Sequence, residues 1–132
     1  MSAFSTYLSQ KIINSTLRGE AFALPATLYL AQFSSSPTDD NVTSGEISGD
    51  WYSRQLATSW SAPVGAGNST ANSNQIQYPA VTGSAVVASH WGLYDAPTGG
   101  NLLYHGAHMA PKTLNVGDVI VVGIGQLQIT VD

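Results

Sequence analysis

Cysteine is missing from this sequence of 132 residues, and charge is scarce. Without cysteine the chain has no disulfide, no zinc–thiolate site and no thiol nucleophile. Charged residues make up only 9% of the chain, against roughly 25% in an average soluble domain. Soluble monomers usually keep more charge in order to remain apart, so this composition predicts a chain that stays associated with other chains.

Basic residues and long apolar runs are scarce as well. The chain has only four Lys and Arg residues, too few for the clustered basic surface that nucleic-acid binding needs. No apolar run approaches the roughly 20 residues of a membrane span. The first residues lack the basic start and long apolar core of a signal peptide. We therefore expect neither nucleic acid nor membrane as a partner, and a protein used without export through a secretion pathway.

Motifs that carry chemistry are also missing. The chain has no G-x-S-x-G elbow, phosphate loop, dinucleotide fingerprint or H-E-x-x-H motif. His90, His105 and His108 lie close in sequence, but the hairpin described below places His90 and His105 on opposite faces. Two packed or hydrogen-bonded histidines and one exposed histidine are expected rather than a metal site. Asp39 and Asp40 lack the ligand spacing and distal Glu of a calcium loop, so we expect a solvated turn there. The sequence predicts no enzyme activity, no cofactor and no metal.

A central β-hairpin is the strongest positive signal, between Ser84 and Ala110. Two apolar runs, Ala88–Tyr94 and Asn101–His105, flank the turn formers Asp95–Asn101. Both faces of this hairpin are substantially apolar, so we expect it to be covered on both sides. With symmetric pairing about Thr98, the expected pairs are Trp91 with His105 and Leu93 with Leu103.

One helix is predicted, over about residues 2–18. Ser2 or Ser5 would cap its start and Gly19 would end it. Such a helix is expected to pack on its own domain, and the alternative is docking on a partner chain. The apolar residues at helical spacing are Phe4, Tyr7, Leu8, Ile12 and Leu17.

Short strands are predicted along the remainder of the chain, about residues 24–132. The low-complexity stretch Ser61–Asn74 is expected to be an exposed loop. Seven or eight short strands separated by turn signals indicate an antiparallel β-sandwich or jelly-roll-like barrel with one N-terminal α-helix, in a single domain over 1–132. The expected strands outside the hairpin are Ala26–Ser34, Trp51–Trp60, Gln75–Val81, Val119–Ile124 and Gln126–Asp132.

Arg54 is the most notable single charge, because it lies mid-strand on the same side as Tyr52 and Leu56. An arginine in such a place is usually paired or stacked, and interfaces favour it. An internal ion pair and an interface role both stay open. A carbohydrate-binding role would need an exposed aromatic ring, and no pair of carboxylates is placed to cleave a glycosidic bond. The candidate rings are Trp51, Trp60 and Trp91.

Five segments of the chain are distinctive in order and spacing. They read S-x-Y-L-x-x-K-I-I-N-x-T-L-R-G at Ser5–Gly19, L-P-A-T-L-Y-L-A-x-F-x-S-x-P-T-D-D-N at Leu24–Asn41, W-Y-S-R-Q at Trp51–Gln55, H-W-G-L-Y-D-A-x-T-G-G-N-L-L-Y-H-G at His90–Gly106 and A-P-K-T-L-N-V-G-D at Ala110–Asp118. Together they resemble a family of small phage virion structural proteins, whose members are often labelled tail fibre proteins. The resemblance covers nearly the whole chain and implies a virion component assembled in the host cytoplasm.

Three roles are compatible with this resemblance. The first is a capsid cement or decoration protein that binds the major capsid protein as a homotrimer and stabilises the shell. The small size and the lack of a fibrous repeat favour it. The alternative is a tail fibre, spike or baseplate accessory protein with tail or baseplate partners, although a fibre shaft normally shows repeats or a long coiled coil. A carbohydrate-binding module is the third role.

Contacts with virion partners are expected in the N-terminal segment Met1–Leu8 and in the loop Ser35–Asp50. One is a terminus with apolar residues, and the other is long and polar. The candidate partner-binding residues are Phe4, Tyr7, Leu8, Asp39, Asp40, Trp51 and Arg54.

Overall fold

The chain folds as antiparallel β-sheets with a helix near its start. A computed structural model describes residues 2–23 and 25–131. Within these residues the fold is mainly β with one N-terminal helix, as the sequence predicts, and the strands form open sheets rather than a closed barrel. The elements are β1 Ser2–Phe4, α1 Thr6–Leu17, β2 Tyr29–Phe33, β3 Gln55–Leu56, β4 Ser69–Ala71, β5 Ile76–Gln77, β6 Val86–Tyr94, β7 Leu102–Leu114, β8 Val121–Val122 and β9 Gln128–Thr130.

A five-stranded sheet in the order β1–β7–β6–β2–β3 forms the centre of the fold. Two two-stranded ribbons, β4–β9 and β5–β8, share an apolar core with one of its faces. Burial of apolar side chains between the two layers is the main force that holds them together. Residues of this core include Leu30, Trp91 and Leu93 from the sheet, and Ile76, Leu127 and Ile129 from the ribbons and the residues beside them.

The opposite face of the sheet carries a second, smaller core. Ala31, Phe33, Tyr94 and Leu102 pack together there, and each is at most 1% exposed. The loop after β2 covers this face, and the Tyr94 hydroxyl donates to Asn41 Oδ1 at 2.6 Å. The central hairpin is therefore covered on both sides, as its two apolar faces predict.

The central hairpin has the predicted loop, but its register is shifted by one residue. Leu103 is an extra residue in β7 and has no partner in β6. An extra residue in one strand turns the side chains beyond it to the other face. Trp91 therefore does not face His105, and Leu93 does not face Leu103. The observed pairs are Trp91 with Gly106, Gly92 with His105, Leu93 with Tyr104 and Tyr94 with Leu102.

The observed register also changes the placement of two histidines. Gly92 pairs with His105, and His90 lies two residues before Gly92 in β6. Residues two apart in a strand share a face, and directly paired residues share it too. His90 and His105 therefore lie on the same face of the sheet, and the prediction of opposite faces is wrong.

The helix begins at Thr6 and not near residue 2. The residues before it form β1, which pairs with β7, and the Phe4 ring packs edge-on against the Tyr104 ring with centroids 5.4 Å apart. Ser5, one of the two predicted caps, accepts a hydrogen bond from the backbone N–H of the third residue after it. Gly19 has φ of +69° and ends the helix as predicted.

Several predicted strands are shorter than expected, and one strand lies where a loop is predicted. Trp51, Arg54 and Ala57 are all buried. Their spacing of three does not fit a strand, in which every second residue shares a face, and only β3 forms in that segment. The predicted strand Val119–Ile124 is reduced to β8. Within the low-complexity stretch, β4 pairs with β9. The ladder is made by backbone groups, so it can form without an apolar side-chain pattern. Asp132, at the end of the last predicted strand, lies outside the described residues.

Candidate functional site

The two predicted contact segments meet at one corner of the molecule. The Thr6 backbone N–H donates to the Asp39 carbonyl at 2.8 Å, and Thr6 Oγ1 donates to Asp40 Oδ1 at 2.9 Å. His105 Nε2 lies 2.7 Å from Asp39 Oδ1. We call Thr6, Asp39, Asp40 and His105 the N-terminal junction. Met1, the first residue of the predicted contact segment, lies outside the described residues.

The apolar residues predicted in this region differ in exposure. Leu8 is buried, whereas Phe4 and Tyr7 are half-buried. Phe4 packs on Tyr104, and Lys11 Nζ lies 5.6 Å from the centroid of the Tyr7 ring. The two carboxylates of the junction are exposed, so they and the Tyr7 ring are the predicted groups that a partner can reach.

Arg54 is held in an internal ion pair. Its Nε and Nη2 donate to the two carboxylate oxygens of Glu46, each at 2.9 Å. Its Nη1 donates to the carbonyls of Ala96 and Gly99 at 3.0 and 2.8 Å, and its guanidinium carbon lies 3.8 Å from the centroid of the Tyr94 ring. Burial lowers the pKa of Arg54, but the hydrogen bonds and charge of Glu46 outweigh it and raise that pKa above its usual value. Of the two roles left open, the structure shows the ion pair.

Tyr52 extends this network into the central sheet. Its hydroxyl donates to Glu46 Oε2 at 2.8 Å and accepts from the Gln32 backbone N–H at 3.1 Å. Burial, with a contribution from Glu46, raises the pKa of Tyr52 far above its usual value. Burial also raises the pKa of Tyr94 to about 12. The network ties the loop Ser35–Asp50 to β2 and to the hairpin loop, so its groups brace the fold and are not presented to a partner.

The tryptophans offer little surface for stacking on a sugar. Trp51 and Trp91 are only 7% and 5% exposed. Trp60 is half-buried, and its Nε1 donates to the Ala57 carbonyl at 2.8 Å. The buried rings of Trp51 and Trp91 therefore present no free face to a ligand.

A cleft of about 950 Å³ opens between the distal half of β7 and the C-terminal residues. Residues 107–114 form one wall and residues 119–128 the other, and no carboxylate from the described part of the chain lines it. We call it the β7 cleft. The sheet residues in its floor are Leu30, Gln32, Ala88 and Trp91.

The strand β7 bulges beside this cleft. Residues 108–111 lie opposite the single residue Ser89 of β6. Pro111 has no N–H to give to a ladder, and a bulge is one of the few places in a sheet that accept it. Met109, in the bulge, is fully exposed at 107%. The bulge therefore places an apolar side chain in solvent at the rim of the cleft.

Gln32 and His108 form the polar centre of the cleft. His108 Nε2 lies 2.7 Å from Gln32 Oε1. Burial, and then the nearby charges of His90 and Lys112, lower the pKa of His108 below its usual value. The neutral ring therefore donates from Nε2 to the amide oxygen.

The other end of the Gln32 amide is unsatisfied. Gln32 is 0% exposed, and its Nε2 has no hydrogen-bond partner among the described residues. The Tyr78 hydroxyl donates to the Leu30 carbonyl at 2.5 Å, and its interaction with the Gln32 side chain opposes the rise that burial causes in its pKa. A poorly satisfied buried donor costs stability, and Gln32 Nε2 is such a donor in the floor of the cleft.

All three histidines are half-buried and hydrogen-bonded, so the prediction of one exposed histidine is wrong. His90 Nδ1 lies 2.7 Å from Ser89 Oγ, and the other two contact Asp39 and Gln32. Within residues 2–23 and 25–131, no group of three or more His, Cys, Asp or Glu side chains could hold a metal ion. No helix in the same residues is long and apolar enough to cross a membrane.

Comparison with known proteins gives the family of the chain. No curated protein matches it significantly. The family described as Podophage GP4 fiber I protein gp80 matches residues 3–130, a range that includes both the N-terminal junction and the β7 cleft. Because this match spans almost every residue, the chain belongs to the Podophage GP4 fiber I protein gp80 family of phage virion structural proteins.

Proposed function

We propose that this chain is a small structural subunit of a phage fibre in the virion and that it acts without catalysis. The family match over residues 3–130 carries the proposal, because its description names a fibre protein. The polar chemistry agrees with a structural role, since the Arg54 guanidinium and the Glu46 carboxylate are engaged with each other inside the fold. The subunit then contributes shape and contact surface rather than a reaction.

Self-association as a homotrimer is part of this proposal. Phage structural proteins act in symmetric assemblies, which need matching surfaces on each copy. The chain has 9% charged residues, and exposed apolar side chains gather beside the β7 cleft. A group of exposed apolar residues marks an interaction surface more strongly than single ones do. The residues concerned are Met109, Val119 and Val121.

The outward face of α1 is proposed to contact the neighbouring tail or baseplate protein. Ile13 and Leu17 are 52% and 80% exposed, and they lie one helical turn apart on the same face. Tyr7 lies at the other end of the helix, whereas the exposed carboxylates of Asp39 and Asp40 are proposed to face a second copy of the chain. The remaining predicted contact residues are buried or packed and act by holding this surface in place; they are Phe4, Leu8, Trp51 and Arg54.

A reconstruction of the virion tests this placement. Density for the chain in the fibre or at its attachment site is expected. Virions assembled with Leu17→Asp should lose the subunit, since the contact would have to desolvate a carboxylate. Val64 is 83% exposed and lies in a loop outside α1, so Val64→Asp should leave the occupancy of the subunit in the virion unchanged. Density on the outer capsid shell, or full occupancy with Leu17→Asp, would contradict the proposed contact.

A second placement, as a capsid cement protein on the major capsid protein, is favoured by one feature. The sequence has no fibrous repeat, and α1 has only 12 residues, whereas a fibre shaft normally has a repeat or a long coiled coil. Cement proteins act by avidity, because an oligomer touches several capsid subunits at once. Particles that lack the protein would then lose resistance to heat and pressure. If particles that lack the protein resist heat and pressure as well as complete particles do, the cement placement is wrong and the fibre placement stands.

A further inference from the structure

The loop after β2 presents a rigid turn, residues 38–42, which we call the acidic turn. Thr38 and Asn41 have φ of 56° and 59° and are the non-glycine residues with positive φ in the described part of the chain. Such backbone is costly and persists only where its surroundings hold it. Here the Asn41 side chain accepts from the Tyr94 hydroxyl, and the Val42 N–H donates to the Pro37 carbonyl at 2.6 Å. The turn is therefore pre-organised, so little ordering is needed when it binds.

The charge of this region is of one sign. No Lys or Arg occurs in residues 21–53, whereas four of the acidic residues do. Glu46 is engaged by Arg54, which leaves the aspartates exposed. Val42, at the end of the turn, is 46% exposed. The acidic turn thus combines exposed carboxylates with an apolar side chain.

The β7 cleft has the opposite character. No carboxylate from the described residues lines it, and Lys112 at its rim has no ion pair among those residues. The Gln32 side chain in its floor is 0% exposed, so the groups that a partner can reach are those of the walls and rim. Its walls are largely apolar, and Met109 and Val121 are exposed there. The cleft therefore suits a segment that has carboxylate or carbonyl oxygens beside a small apolar side chain.

We propose that the acidic turn of one copy docks into the β7 cleft of a second copy, and that this contact builds the oligomer. Val42 would lie between the apolar walls, and Asp40 would face Lys112. Because the turn and the cleft are different surfaces of one chain, the contact is heterologous, and repeated copies close into a ring such as a trimer. The inference rests on the proposed self-association and names the surfaces that produce it.

Two substitutions separate the two halves of the contact. Val42→Asp changes the turn and leaves the cleft intact, whereas Met109→Asp changes the cleft rim and leaves the turn intact. Each is expected to raise the dissociation constant for self-association at least about tenfold, because a carboxylate would have to be desolvated against apolar groups. Light scattering and sedimentation give the mass. Val64→Asp, outside both surfaces, should keep the mass of the wild-type protein, and circular dichroism checks that all variants are folded.

Mixing the two variants tests the heterologous geometry. The intact turn of Met109→Asp should enter the intact cleft of Val42→Asp, so an equimolar mixture is expected to give a one-to-one dimer by native mass spectrometry. A mixture that stays monomeric would overturn the proposal. So would either single variant with the wild-type mass, which would leave self-association standing but place it on another surface. A wild-type protein that is monomeric at tens of micromolar would also overturn the proposed contact, and the cleft would then be assigned to another virion protein. The proposed place in the virion would still be tested separately by the reconstruction.

The rim charge gives an independent readout. Lys112→Glu places a carboxylate opposite the acidic turn, whereas Lys112→Met removes the charge and keeps the length of the side chain. The first should weaken self-association more than the second, and added salt should narrow the difference, since it screens exposed charges. Equal effects of the two substitutions at low salt would contradict the placement of Asp40 beside Lys112.

Discussion

At the scale of single residues, several of the few charged groups of this chain have specific partners. The Arg54 and Glu46 side chains are only 4% and 18% exposed, and both nitrogens of the guanidinium that face Glu46 donate to it. Arg18 and Glu20, by contrast, form a pair at 3.6 Å with side chains 66% and 53% exposed. Burial decides how much each pair matters, because an exposed pair is screened by solvent and a buried one leaves an uncompensated charge when it is broken.

Arg54→Ala is expected to reduce the free energy of unfolding by about 3–5 kcal/mol, since Glu46 would stay buried with an unpaired charge. Arg18→Ala, the matched control at the exposed pair, should change it by no more than about 0.5 kcal/mol. Urea unfolding followed by fluorescence measures both. Equal effects of the two substitutions would show that the Arg54 pair does not brace the fold.

Because His108 in the cleft is half-buried, we expect the stability of the protein to depend on pH. The pKa of His108 is lowered from its usual 6.5 in the folded state, so the unfolded chain binds the proton more readily. The contribution of this group to stability is therefore fully present above pH 6.5 and is lost as the pH falls through the lower folded-state pKa. His108→Gln should flatten the curve of unfolding free energy against pH over that range. The control variant His90→Gln should keep most of the slope of the wild-type curve. An unchanged slope in His108→Gln would contradict this origin.

At the scale of elements, the start of the chain is shared between a strand and a helix. Ser5 lies between β1 and α1, and its Oγ has two roles. It accepts from the Leu8 N–H at 3.0 Å and donates to the Leu102 carbonyl at 2.5 Å. One buried hydroxyl therefore caps the helix and ties it to the start of β7. Without this link the helix is too short to be stable alone.

Ser5→Ala is expected to reduce the free energy of unfolding by about 1–2 kcal/mol, because it removes the cap and leaves the Leu102 carbonyl without that donor. Thr16→Ala is the control within the same helix. Thr16 is exposed and its Oγ1 bonds back to the Ile12 carbonyl at 2.6 Å, and alanine has the higher helix propensity, so this change should be neutral or slightly stabilising. Thermal and urea unfolding measure both. A Ser5→Ala protein as stable as the wild type would show that the cap contributes nothing.

At the scale of the whole molecule, a sheet covered on both faces accounts for the low charge content. Apolar side chains of the central strands point into two cores, one under the ribbons and one under the loop after β2. The polar groups that remain are mostly amides and hydroxyls rather than charges. Contacts of such a surface with other virion proteins should depend only weakly on ionic strength, apart from the few carboxylates and Lys112 named above.

Removal of metal ions should leave the stability of the whole molecule unchanged. A bound metal would stabilise the folded state by mass action, so extensive chelation followed by a thermal scan gives a direct measurement. The expected melting temperature is the same with and without chelator. A decrease of many degrees, restored by one divalent cation and not by others, would contradict the prediction that the protein needs no metal.

Local patterns in the sequence determined the class of elements. The alternating apolar residues of β2, the turn formers of the hairpin loop and the stop at Gly19 each act through neighbours in the chain, so a mainly β fold with one N-terminal helix follows from them. The family resemblance was equally readable, because its motifs are runs of adjacent residues. Gln32, in the otherwise apolar strand Tyr29–Phe33, also indicated a buried amide, although the sequence did not indicate which residue it would bond.

Only the tertiary structure decided which distant groups meet. The extra residue at Leu103 changed the faces of the hairpin, and nothing in the adjacent sequence distinguishes it from its neighbours. Glu46 became the partner of Arg54, and Gln32 the partner of His108, across 8 and 76 positions of the chain. Such pairings depend on strand register and loop closure, which the core as a whole selects. The cleft likewise arises from two segments, residues 107–114 and 119–128, and neither sequence by itself specifies the space between them.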